Sequence, residues 1–62
     1  MKYKEVIKVI ENDGWAVSRQ RGSYRVYKHS SKKGIVIIAA HRLADEVPPG
    51  TLSAILKQAG LK

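Results

Sequence analysis

The 62-residue sequence predicts a single α+β domain, 1–62, of order αβββα, and three observations carry that prediction. Apolar residues recur at i, i+3, i+4 and i+7 near both ends, the spacing that lays one stripe along a helix. Between those segments lie three runs rich in β formers, separated by turns too short for a parallel crossover, so the sheet is antiparallel. Length bounds the rest: at this size folding buries only about 60% of the unfolded surface, and a multidomain enzyme or a large cofactor fold has no room.

In the first segment the stripe is Tyr3, Val6, Ile7 and Ile10, and it stops at Asn12-Asp13-Gly14, where glycine takes a left-handed backbone without a Cβ clash. From Trp15 the texture alternates, with Trp15 and Val17 on one face and Ala16, Ser18 and Gln20 on the other. Arg21-Gly22-Ser23 supplies turn residues and Tyr24 to His29 is again rich in β formers, so the two runs make a hairpin. Alternation sets Tyr24, Val26 and Lys28 opposite Tyr27, which reads as core together with Tyr3 and Trp15. Ser30 to Gly34 is a second polar turn, and Ile35 to Ala40 is apolar on both faces, the pattern of a strand with little exposure. His41 to Pro49 reads as a polar connection, because Pro48-Pro49 cannot sit in a central strand. Gly50-Thr51 opens the last helix, with Thr51 as its expected cap, Leu52, Ile55, Leu56 and Ala59 as its stripe, and Gly60-Leu61 as its stop. Two short helices cover one face of a three-stranded sheet and leave the other open.

Charge narrows the function classes. Twelve Lys and Arg against five Asp and Glu give a net charge of +7. From Gly14 to Ala44 there is no acid, while Arg19, Arg21, Arg25, Lys28, Lys32, Lys33 and Arg42 all fall in that window. A polyanion is therefore the expected partner, nucleic acid before a membrane surface. The chain has no cysteine, which removes disulfides and thiolate zinc sites and suits a reducing compartment. Its longest apolar run, Ile35 to Ala40, is too short to cross a bilayer, so a complete, soluble, intracellular domain is expected.

Metal chemistry is not expected, since His29 and His41 are not at ligand spacing and the acids lie outside the basic window. No cofactor is expected either, because the five glycines are scattered rather than grouped into a phosphate-cradling loop. Asp45 and Glu46 are neighbours beside prolines and read as surface residues, not an acid/base pair. What remains is a basic, aromatic-bearing hairpin. RNA is cleavable without a metal when one group takes the 2′-hydroxyl proton, another protonates the leaving oxygen and cations stabilise the phosphorane. Arg19, Arg21 and Arg25 supply cations, and His29 and His41 are the only imidazoles able to shuttle protons. Tyr24 reads equally as a sheet tyrosine or a nucleic-acid contact, and a phenol, with an ordinary pKa of about 10, is a poor general base.

Three stretches carry a family resemblance: Lys4-Glu-Val-Ile-Lys-Val-Ile-Glu11 with Asp13-Gly14-Trp15, the hairpin Arg21-Gly22-Ser23 with Tyr27-Lys28-His29, and Pro49-Gly50-Thr51-Leu52 with Ile55-Leu56-Lys57-Gln58-Ala59-Gly60-Leu61. Together they resemble HicA toxins over essentially the whole chain, the ending being the most specific part. The resemblance implies a double-stranded-RNA-binding-domain-like fold and a metal-independent mRNA interferase that arrests translation. It also implies a bacterial cytoplasmic setting and neutralisation by a HicB antitoxin, with RNA and that antitoxin as partners and no small-molecule cofactor. One departure stands out: the residue that follows Gly-Ser is the family's catalytic histidine, and here it is Tyr24. The expected site is then Tyr24 as the catalytic position, with Arg19, Arg21, Ser23, Arg25, Lys28, Lys32 and Lys33 on RNA. His41 and His29 match looser family histidines and are accessory candidates, His29 in a structural place at the end of the second strand. Two other readings stay open, a non-cleaving RNA-binding module in which Tyr24 stacks on a base, and a protein that serves mainly to bind an antitoxin.

Overall fold

The structure, a computed structural model, describes residues 1–62 and has the predicted order: α1 Tyr3–Asn12, β1 Trp15–Arg21, β2 Tyr24–His29, β3 Val36–Ala39 and α2 Pro49–Gln58. The strands form one antiparallel sheet in the order β1-β2-β3. Val6, Ile7 and Ile10 from α1 and Ile55 and Ala59 from α2 meet Trp15, Tyr27, Val36 and Ile38 in one buried cluster, so both helices lie on the same face of the sheet. The remaining buried residue, Val26, lies outside that cluster, and its place between Arg19 and Ile37 on neighbouring strands assigns it to the other face.

The helix ends depart from the sequence expectation in one place and meet it in another. Thr51 lies inside the first turn of α2 and makes no cap; Pro49 occupies the first helical position, where its missing N–H is no loss, and Leu52 N donates to Pro48 O at 2.8 Å. At the other end Leu61 N donates to Leu56 O at 2.8 Å and Gly60 N to Lys57 O at 3.0 Å, the paired bonds of a glycine stop with Gly60 at φ +73°. The connection read as polar does more than link. Leu43 and Asp45 present carbonyls to Lys4 N and Tyr3 N, both at 3.0 Å, which satisfies the first amides of α1. Val47 N donates to Met1 O at 2.8 Å, and the Val47 side chain joins the core. β3 is shorter and more open than its apolar pattern implies, since as an edge strand it leaves Ile35 exposed and its Ile37 N–H reaches the Gln58 side chain at 3.2 Å.

The register of β1 on β2 positions everything that follows. Val17 pairs with Tyr27, but the next pair is Arg19 with Val26, so Ser18 is one residue too many for the ladder. This bulge reverses the alternation of the second half of β1. Without it Arg19 and Arg21 would share the helix-covered face with Trp15 and Val17; with it they stand opposite Val26 and Tyr24 on the open face, and Gln20 pairs with Arg25 instead.

Candidate nucleic-acid interface at the hairpin tip

The tip is built by a two-residue turn. Gly22 has φ +58° and Ser23 a negative φ, the combination in which glycine at the first central position matches the twist of the strands. Ser23 O accepts Ala40 N at 3.0 Å, which ties the turn to the end of β3. Tyr24 therefore begins β2 with Arg21 on one side and Ala39 on the other. Arg19, Gln20, Arg21 and Tyr24 line an open groove of about 340 Å³. The Tyr24 side chain is 44% exposed, and neither Arg19 nor Arg21 is in an ion pair. Two unneutralised guanidiniums beside an exposed phenol can hold a phosphate in a bidentate fork while the ring offers a face to a base.

Sites expected from the sequence divide between the two ends of the sheet. Arg19, Arg21, Ser23 and Tyr24 converge at the tip, and exposed His41 follows Ala40 at the same end. Arg25 pairs with Gln20 and Ile38, so alternation turns it to the helix side, where its Nε is buried without a hydrogen-bond partner. Lys28 is exposed opposite Ala16 on the open face, four residues from Tyr24 or about 13 Å along the strand. Lys33 is exposed in the turn before β3.

His29 and Lys32 belong to a different structure at the far end. His29 Nδ1 accepts Ser31 N at 3.0 Å and Lys32 N at 3.2 Å, so the hydrogen sits on Nε2, which donates to Asp13 O at 2.6 Å. With both ring nitrogens occupied and the ring edge-on to Trp15 at 5.3 Å, His29 holds the hairpin base against the end of α1. Lys32 Nζ donates to the Asp13 carboxylate at 2.5 Å and to Ala59 O at 3.1 Å, and the buried Trp15 Nε1 donates to the same carbonyl at 3.3 Å. A cation thus sits on the C-terminal carbonyls of α2, where the helix dipole favours it. The hydrogen bond from Lys32, then its charge, holds the Asp13 carboxyl below its ordinary range.

Sequence reasoning missed Gln20 as a wall of the groove and Asp13 as the anchor of the base. The available signal for the first was the run Ser18-Arg19-Gln20-Arg21, which has no apolar residue to hold a register and so admits a bulge. A protein-family model described as the HicA toxin of bacterial toxin-antitoxin systems matches residues 3–61. No curated protein matches the chain.

Proposed function

The chain belongs to the HicA toxin family of bacterial toxin–antitoxin systems, and from that premise we propose that it is a metal-independent endoribonuclease scaffold acting on mRNA at the hairpin tip, with an antitoxin of the HicB kind as its protein partner. The observation that carries this reading is the bulge at Ser18, which delivers Arg19 and Arg21 to the same face and the same groove as Tyr24. In the proposed mechanism the two guanidiniums bind the scissile phosphate and stabilise the charge that builds on it during attack by the 2′-oxygen. The residue at position 24 faces that phosphate. A histidine there takes the 2′-hydroxyl proton near neutral pH, whereas a phenol binds and orients the RNA but is a weak acceptor for that proton. His41, which follows Ala40 at the same end of the sheet, is the candidate that topology places nearest for protonating the leaving oxygen.

RNA cleavage in excess chelator by the wild type and Tyr24→His, both checked for folding, tests the proposal. General-base catalysis typically contributes about 10²- to 10⁴-fold, so the histidine variant should cleave at least about a hundredfold faster. Equal rates would remove position 24 from the chemistry, and absence of cleavage by either protein would leave RNA binding without catalysis as the activity.

A further inference from the structure

We infer that the open face of the sheet takes single-stranded RNA and excludes a duplex, an inference that rests on the RNA reading above and names the form of RNA. On this face Tyr24, Val26, Ile37 and Ala39 make a continuous apolar floor across β2 and β3. Val26 is only 6% exposed although no helix packs on this side, so neighbouring side chains cover most of it. Arg19 and Arg21 stand along one border of the floor and Lys28 at its base. An aromatic and apolar surface bordered by cations suits bases with free π faces and a backbone that runs beside them. Stacked, paired bases in a duplex offer only their edges and phosphates, so a duplex would meet the bordering cations and leave the apolar floor without a partner.

The helix side lacks what a duplex requires. Recognition of double-stranded RNA needs cations that reach successive grooves over about 16 base pairs. α2 carries one basic residue, Lys57 in its last turn, and the β1–β2 turn is two residues long, too short to enter a groove. On α1 the bases Lys4 and Lys8 are interleaved with Glu5 and Glu11. The fold class that reads duplexes elsewhere therefore presents a single-strand platform here, on the opposite face.

Fluorescence anisotropy with a labelled 2′-O-methyl RNA, which cannot be cut through its 2′-oxygen, tests this in chelator at low salt with the same sequence single-stranded and as a perfect duplex. The single strand should bind at least tenfold tighter. Tyr24→Ala should weaken single-strand binding about 5- to 150-fold, the range of one lost base stack. Ala39→Glu, exposed and beside Tyr24, should weaken it in the same direction, while Lys8→Ala on α1 should change it less than twofold. Duplex binding as tight as single-strand binding, or a larger loss from Lys8→Ala than from Tyr24→Ala, overturns the inference and leaves the RNA reading standing. Failure of both forms to bind overturns the RNA reading as well.

Discussion

Gly14→Ala should destabilise the fold far more than a surface substitution in a turn. Gly14 has φ +106°, a conformation that L side chains rarely adopt, and holding alanine there costs about 1–3 kcal/mol. A Cβ at this position would also lie 2.6 Å from His29 Nε2, the atom that donates to Asp13 O. The ring must move, and that hydrogen bond, worth about 1 kcal/mol net, is lost. The sum is about 2–4 kcal/mol, a large part of the total stability of a chain this small. At about 8 °C per kcal/mol for a domain near 60 residues, the midpoint should fall by about 15–30 °C. Thermal unfolding followed by far-ultraviolet dichroism and Trp15 fluorescence measures it. In a His29→Ala background the clash is gone, so Gly14→Ala should cost only its backbone strain, about 1 kcal/mol less. A midpoint within about 4 °C of wild type, or strict additivity in the double mutant, would refute the reasoning.

The ion pair at the hairpin base should appear in the pH dependence of stability. The folded Asp13 pKa lies below its ordinary value of 3.8, so the stabilisation from Lys32 is complete above that value and is lost as pH falls through the depressed one. Urea midpoints should drop across that acid range, and Lys32→Met should lower the midpoint at neutral pH and flatten the acid drop; parallel profiles for the two proteins would show that the pair contributes nothing. At the tip, Arg19→Ala and Arg21→Ala should each leave the melting temperature within about 2 °C while reducing the salt dependence of RNA binding by about 0.7 in log–log slope, one phosphate contact each on a single strand. An unchanged slope would place the phosphates elsewhere.

The fold was legible because the two helical stripes and the hairpin each have a local cause. Val6, Ile7 and Ile10 are buried by the periodicity that announced them, and Gly22-Ser23 makes the turn that its glycine allows. Half of the candidate site was legible in the same way, since Tyr24 follows the turn directly and alternation alone sends it away from Tyr27. The rest depends on relations between strands. Whether Arg19 faces the helices or the open side is decided by where β1 slips against β2, and a run of polar residues carries no burial preference to fix that slip. Lys32 looked like one more base in an acid-free window, yet its role is set by Asp13 and Ala59, 19 and 27 residues away in sequence. Thr51 misled for a smaller reason: it has the right side chain for a cap, but Pro48-Pro49 had already started the helix.

The way α1 is closed at its start bears on when the domain can exist at all. A ten-residue helix is marginal alone in water, and the carbonyls that take up its first amides come from Leu43 and Asp45. During synthesis α1 emerges before these partners, which lie 31 and 33 residues beyond its end at Asn12. The central strand meets Val36 and Ile38 within nine residues of its own end, and Ala40 then anchors the turn that presents Tyr24. A chain that stops short of Ala40 lacks the bond that ties the turn to β3, and one that stops short of Asp45 leaves the first amides of α1 without their partners, so the tip and the helix are both closed by residues that follow them.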